Sequence, residues 1–282
     1  MLKSSTTLQS EQIRTLAIGG FDGIHRGHQA LLSRLESDGA LLVIDKGFSP
    51  ALTPGSARCR HTRHPCFFLD FEAVRDLEAE QFIDRLKEIF PALRKIVVGY
   101  DFRFGKGRRG DVALLRERSD LEVEVVDEQS LDGVSIHAAT IRRLIAEGEI
   151  EKANRLLGRP YSVAGKIVKG QGLGKKALYP TFNLDTGDFL LPAEGVYIST
   201  VRIDKKRYPS VTFVGKRLST DTAFSVETHV LSHLPEGSEP KEAEIFFMKF
   251  LRQNKRFDTL SALKQQIGED IVRAKAFFQG TT

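Results

Sequence analysis

At about Tyr161 the hydrophobic pattern of the chain changes period, and this change constrains the fold more than any single motif. Upstream, short apolar runs alternate with stretches whose apolar residues recur every three or four positions. Downstream, long helical patterns give way to short β-rich runs separated by turn residues. A chain of 282 residues is long enough for two domains, each with its own core. The change predicts an α/β domain over residues 1–158 and a β-rich domain over residues 159–282.

Five apolar runs, at residues 16–18, 41–44, 67–71, 95–98 and 121–126, read as strands of the first domain. Between them, residues 79–90 form an amphipathic pattern with Phe82, Ile83, Leu86 and Ile89 on one face, and residues 111–118 a short helix. Strands alternating with helices predict a mostly parallel sheet with helices on both faces. In the second domain, runs at 162–168, 195–203, 208–214, 225–231 and 243–251 predict a small closed barrel of five or six strands. A final helix follows, with Asp258 as its N-cap and Leu260, Leu263, Ile267, Ile271 and Ala274 as its apolar stripe.

Two stretches carry chemistry. The first strand runs into Gly19, Gly20, Phe21, Asp22 and Gly23, a tight turn that residues with a Cβ would crowd. A helical pattern begins at His28, so strand, glycine turn and helix start point free N–H groups and the positive dipole end at one spot. That arrangement suits phosphate. His25 and His28 lie there on either side of Gly27, and imidazoles can donate to a phosphoryl oxygen as its charge develops. The second stretch holds Gly165, Gly170, Gly172, Gly174 and Lys175, followed by Pro180-Thr181-Phe182-Asn183. Backbone N–H groups of a glycine-rich loop approach phosphates closely. Thr181 and Asn183, two residues apart on a strand, share a face and offer neutral hard oxygens of the kind that hold Mg²⁺ together with substrate phosphates.

Composition narrows the class. The formal charge of +5 and pI near 9.1 suit anionic ligands, and Lys and Arg are spread out apart from small clusters such as 106–109. With no Trp and five Tyr there is little aromatic interleaving, so nucleotides rather than nucleic acid are the expected partners. No apolar run approaches the roughly 20 residues of a membrane span. Two cysteines and a polar N-terminus predict a cytoplasmic protein with reduced thiols. Cys59, His61, His64 and Cys66 offer zinc-type ligands, but their spacing is too compressed for a usual tetrahedral site, and a surface loop is the expectation.

The string GGFDGIHRGH at residues 19–28 resembles the HxGH signature of nucleotidyltransferases, in the fuller form seen in bacterial bifunctional riboflavin kinase/FAD synthetases. Gly99-Tyr100-Asp101-Phe102-Arg103-Phe104-Gly105-Lys106-Gly107 resembles the GxDFRFGKG segment of that family. Pro180–Asn183, Val226-Glu227-Thr228-His229 and Leu251-Arg252-Gln253-Asn254-Lys255-Arg256-Phe257 resemble its kinase signatures. The resemblance implies a Rossmann-like nucleotidyltransferase domain with a parallel sheet, then a small antiparallel β-barrel with a terminal helix. It implies ATP as co-substrate with Mg²⁺, and riboflavin and FMN as the other substrates. By the same resemblance His25, His28 and Glu227 are catalytic. Gly20, Phe21, Asp22, Gly23, Gly27, Asp101, Phe102, Arg142, Gly165, Gly170, Gly172, Gly174 and Lys175 bind nucleotide, Thr181 and Asn183 the metal, and Arg252 and Phe257 the flavin. Two segments of the first domain depart from the family: Asp45-Lys46-Gly47-Phe48-Ser49-Pro50 replaces Thr-Phe-x-Pro-His-Pro, and His137-Ala138-Ala139 replaces Ser-Ser-Thr ahead of Arg142; in the second, Ala177-Leu178-Tyr179 replaces Leu-Gly-Phe and the Tyr-Gly before the last strand is absent. The alternatives are a riboflavin kinase whose adenylyltransferase is weak or inactive, and a non-enzymatic flavin- or nucleotide-binding regulator.

Overall fold

A computed structural model describes residues 2–4, 9–47, 49–168, 179–219, 222–234 and 240–280. The chain divides into two compact units, Met1–Thr140 and Ile141–Thr282.

The strands of the first unit are β1 (Lys3–Ser4), β2 (Thr15–Gly19), β3 (Gly39–Asp45), β4 (Cys66–Asp70), β5 (Lys95–Gly99) and β6 (Glu122–Val126). They lie in the order β1-β4-β3-β2-β5-β6, with β2 to β6 parallel and β1 antiparallel along β4. The antiparallel edge strand was not announced by the polar N-terminus, because two residues carry no periodicity. Alternation along the central strands buries both faces. Ala17, Leu41, Val43 and Val97 pack on Leu31 and Leu32 of α1 (Arg26–Leu32). Leu16, Ile18, Leu42, Ile96 and Val98 turn the other way, onto Phe82, Ile83 and Leu86 of α2 (Ala79–Ile89) and Leu115 of α3 (Val112–Arg118). Each such side chain, once fully buried, contributes about 1.5–3 kcal/mol. The chain winds from β2 out to β4, then returns to lay β5 on the other side of β2. Their adjoining carboxyl ends therefore form a topological switch point, where open α/β sheets bind ligands. A hairpin of β7 (Ser130–Leu131) and β8 (Val134–Ser135) follows, turning on Asp132 and Gly133 at φ 51° and 75°. Two successive positive φ values are what a tight hairpin turn asks of Asp-Gly.

Helix α4 (Ala138–Ala146) begins in the first unit and ends in the second. In the second unit, α5 (Ile150–Leu157) buries Ile150, Ala153, Leu156 and Leu157 and ends at Gly158 in the left-handed region. Asn154 fastens α5 to the strands beyond it: its amide donates to the Phe247 carbonyl at 2.9 Å and accepts from Tyr161 N at 2.7 Å. The six strands are β9 (Tyr161–Val168), β10 (Phe182–Asp185), β11 (Gly195–Ile203), β12 (Lys206–Lys216), β13 (Phe224–Val230) and β14 (Glu242–Gln253). They close an antiparallel barrel in the order β10-β13-β12-β11-β14-β9. Val163, Tyr197, Val201, Val214, Ile245 and Phe247 are fully buried in it. A chain of buried hydroxyls, Ser210 to Ser199 to Thr212 to Thr228, crosses three strands at 2.8–2.9 Å per step.

The last helix, α6 (Leu260–Gln279), lays Ile267, Ile271, Ala274, Phe277 and Phe278 on Val196, Ile198, Val211 and Phe213 of the barrel. Its N-cap is Thr259 rather than Asp258, because the Thr259 side chain reaches the Ala262 N–H at 3.1 Å. Leu260 stands 48% exposed in the first turn and leaves the predicted stripe, while Asp270 joins the buried face. Among the described residues no helix is long and apolar enough to cross a membrane.

Candidate active sites

In the first unit, the carboxyl end of β2 delivers the glycine turn. Phe21 and Ile24 hold φ at 50° and 39°, a strained region for residues with side chains, and near-complete burial of both keeps them there. Gly20 is exposed, and a Cβ on it would meet nothing within 4 Å, so the backbone is open to a ligand. Asp22 is buried and turns inward. Its carboxylate accepts from Leu52 N at 3.2 Å, Thr53 N at 2.9 Å and Thr53 Oγ1 at 3.3 Å. The Gly23 N–H donates to Thr53 Oγ1 at 2.7 Å. Thr53 thus clamps the segment after β3, which departs from the family pattern, against the glycine turn.

His25 is the N-cap of α1, its Nδ1 accepting from His28 N at 3.3 Å. That bond assigns the lone pair to Nδ1 and the proton of the neutral ring to Nε2. The His25 and His28 rings stack with centroids 3.6 Å apart and planes 18° apart. Gly27 leaves room for this pair: a Cβ there would fall 3.1 Å from His25 Nδ1 and 3.4 Å from the Ile136 carbonyl.

The neighbouring strand β5 ends at Gly99, Tyr100 and Asp101. Asp101 is exposed, whereas Phe102 is half-buried and stacks on Phe104 against the sheet core. Glu128 Oε1 gathers three donors: the Ser135 hydroxyl, the Tyr100 hydroxyl at 3.0 Å and His137 Nε2 at 3.3 Å. The Ser135 bond above all, then Tyr100 and His137, holds the Glu128 carboxyl below the usual carboxylate range. Desolvation first, and then the hydrogen bond to Glu128, pushes the Tyr100 phenol up. Because Ile136 touches the Gly27 position, this network stands beside the histidine pair. Arg142, on α4, belongs to the second unit.

In the barrel, cross-strand register does what sequence distance hides. Asn183 of β10 lies directly opposite Glu227 of β13, so the two side chains share a face. Glu227 Oε1 accepts from Ser225 Oγ at 2.9 Å and faces Arg217 Nη1 at 3.5 Å. Both contacts fall on the same oxygen. Among the described residues Oε2 has no hydrogen-bond partner, and neither Thr181 nor Asn183 commits its side chain to another protein group. Two neutral oxygens left free beside a carboxylate fit Mg²⁺ shared with phosphate. Gly165 belongs to β9, where a Cβ would fall 2.0 Å from the Asp185 carbonyl oxygen. Its bareness serves strand approach. Gly170, Gly172, Gly174 and Lys175 lie outside the described residues.

Arg252 is committed elsewhere: its Nε and Nη2 grip the Asp270 carboxylate at 2.8–3.0 Å, and Asp270 is 1% exposed. The pair clamps α6 to β14. Phe257 is half-buried, with Lys255 over its ring at 4.9 Å and Arg252 at 5.8 Å. Around residues 55–66, Gly55–His61 forms a 3₁₀ helix and Cys66 is buried in β4. Among the described residues there is no group of three or more His, Cys, Asp or Glu side chains able to hold a metal ion. Thr53, Glu128, Ser225, Arg217 and Asp270 escaped the sequence reading. Ser225 reaches Glu227 two residues along the same strand, and each of the others acts on a partner that only pairing or loop closure brings near.

The two units are thus an α/β unit with a glycine turn and a histidine pair at the end of β2, and a β-barrel with an acid and an amide facing each other across β10 and β13. A family model described as FAD synthetase matches residues 64–140, and one described as riboflavin kinase matches residues 157–278. The class is that of two-module flavin enzymes. A bifunctional riboflavin kinase/FMN adenylyltransferase of Pseudomonas fluorescens is 32% identical over 285 residues, covering 92% of this chain and 91% of the relative. The protein of the same description from Escherichia coli K12 is 30% identical over 291 residues, 93% and 92% covered. The chain belongs to the bifunctional riboflavin kinase/FMN adenylyltransferase family. A solved structure described as a macrolide-efflux protein from Streptococcus pneumoniae matches 94% of each chain with a TM-score of 0.81. At 24% identity that likeness shows the fold alone.

Proposed function

We propose that this chain phosphorylates riboflavin to FMN on the barrel and adenylylates FMN to FAD in the α/β unit, using ATP for both. The observation that carries the reading is the Asn183–Glu227 register, with Glu227 Oε2 left without a protein donor among the described residues. In the first reaction Glu227 Oε2 takes the proton of the terminal ribityl hydroxyl as that oxygen attacks the γ-phosphorus of ATP, and ADP leaves. Thr181 and Asn183 would hold Mg²⁺, which would supply positive charge against the phosphates. Phe257 offers its ring to the flavin, since Arg252 is held by Asp270.

In the second reaction a phosphate oxygen of FMN attacks the α-phosphorus of ATP. The bond to the β-phosphate bridging oxygen breaks, and pyrophosphate leaves. No covalent enzyme intermediate is needed. His25 donates from Nε2 and His28 from its ring to the α-phosphoryl oxygens, while the open backbone at Gly20 and the side chain of Asp101 hold the nucleotide. Each well-placed donor is worth on the order of 10²–10³ in rate. The kinase module occupies residues 159–282, braced by α5.

The test is a time course of purified protein with riboflavin and MgATP, products resolved by chromatography. FMN should rise first and FAD should follow. Absence of both products refutes the reading, and FMN without FAD refutes its second half.

A further inference from the structure

The geometry points to His229 as a positioning residue of the barrel, one that fixes the backbone beside Thr181, whose hydroxyl the riboflavin kinase reading above gives to the metal. The pairing of β10 with β13 ends at Phe182 and Thr228. Continued by one residue, this register would set Thr181 opposite His229. Ahead of Thr181 stands Pro180, which has no N–H to give a neighbouring strand, and the ladder stops. The Pro180 carbonyl finds its donor in a side chain instead: His229 Nδ1 lies 2.7 Å from it. A carbonyl only accepts, so Nδ1 carries the proton. The imidazole thus takes over from the ladder where the ladder ends, one residue before Thr181.

The support of this bond is firm. β13 pairs with β12 from Phe224 to Val230, and His229 lies opposite Val211 in that ladder. The Tyr179 ring meets the imidazole edge-on, with centroids 5.5 Å apart and planes at 65°. Tyr179 in turn packs on the cluster that joins α6 to the barrel. A Cβ on Gly268 of α6 would fall 3.2 Å from the Tyr179 hydroxyl, so the bare glycine leaves room for the phenol.

Glu227 and His229, two residues apart on β13, share a face. One strand therefore carries the carboxylate opposite Asn183 and the imidazole that holds the backbone next to Thr181. Thr181 is exposed, and its place follows from the backbone that His229 fixes. Mg²⁺ demands near-ideal octahedral geometry, so a misplaced hydroxyl serves it poorly. Groups that orient a metal ligand typically carry about 10- to 100-fold in metal affinity or activity. In this assignment His229 touches neither flavin nor phosphate and acts through Thr181.

The experiment separates the hydrogen bond from the ring, in the full chain. His229→Phe keeps a ring beside Tyr179 and removes the donor, whereas His229→Asn keeps an N–H near the place of Nδ1 and removes the ring. Two quantities are read: the Mg²⁺ half-saturation of FMN formation, and ADP affinity by calorimetry with and without Mg²⁺. His229→Phe should raise the half-saturation about 10-fold with riboflavin KM moving only a few-fold. It should also lose much of the Mg²⁺-dependent ADP affinity that Thr181→Ala loses. His229→Asn should recover part of both. The double variant Thr181→Ala/His229→Phe should be no worse than Thr181→Ala alone, because the two act as one unit. Should His229→Phe not fold, His229→Ala takes its place. Parent values in His229→Phe, an Asn variant no better than Phe, or losses that add in the double variant overturn the assignment of His229. An unchanged Mg²⁺ response in Thr181→Ala overturns it as well, together with the metal role of Thr181. A parent protein that makes no FMN overturns the kinase reading instead, and the calorimetry then decides on His229.

Discussion

Gly27→Ala separates the geometry of the histidine pair from the stability of its helix. The added Cβ would lie 3.1 Å from His25 Nδ1 and 3.2 Å from Cε1. An unstrained contact needs ~3.5 Å, so the ring must yield by about 0.4 Å. It has little freedom to do so, being 5% exposed, stacked on His28 at 3.6 Å, and already stretched to 3.3 Å in its cap bond. A misplacement of about 1 Å at a reacting centre costs on the order of 10²-fold, so a shift of this size predicts a loss of about 10-fold in adenylyl transfer. Stability moves less. Ala in place of a helical Gly adds about 0.5–1 kcal/mol, and a weakened cap removes about as much. The assay follows FAD formation from FMN and MgATP, with FMN formation from riboflavin as internal control. FAD formation should fall alone, with the thermal midpoint within about 3 °C of the parent. An unchanged FAD rate, or equal loss of both activities with a large drop in midpoint, refutes the reasoning.

Three further outcomes are expected. His25→Ala and His28→Ala should each abolish FAD formation from FMN and leave FMN formation intact, as read by chromatography. A fragment of residues 141–282 should unfold at higher denaturant than one of residues 159–282, because α5 buries Ile150, Leu156 and Leu157. At about 1.5–3 kcal/mol each, these three are comparable to a domain's whole stability. Burial pushes the Tyr197 phenol well above its ordinary value of 10.0. The folded state therefore keeps this proton where the unfolded chain loses it, and stability falls as pH rises past about 10. Tyr197→Phe should be less stable than the parent at pH 7, through loss of the hydroxyl bond to the Ala193 carbonyl, and the gap should narrow above pH 10. A gap that widens with pH refutes this.

The parts of the fold with strong periodicity were legible in the sequence. Continuous apolar runs at residues 16–18, 41–44 and 95–98, alternating with helical stretches, foretold a sheet covered on both faces, and Leu16 and Ala17 indeed pack to opposite sides. The barrel was legible as β-rich runs, but β10, four residues long, is too short to announce itself without the Pro180–Asn183 motif. The clamp of Asp22 on Thr53 spans 31 positions and has no local signature. Nor does Arg252 on Asp270: an acid in an amphipathic helix reads as solvent-facing until a partner on the barrel buries it. Leu260 shows the reverse, an apolar residue in phase with the stripe that the first helical turn carries into solvent. His137, which stands where the family has a serine, turns out to share one carboxylate with Tyr100 and Ser135 beside the histidine pair.

On this reading one chain runs two phosphate chemistries at two separate sites. Glu227→Gln protein given riboflavin or FMN, each with MgATP, tests it most directly. The account predicts no flavin product from riboflavin and FAD from FMN at the parent rate. FMN formed from riboflavin, or no FAD from FMN where the parent makes it, would contradict the account.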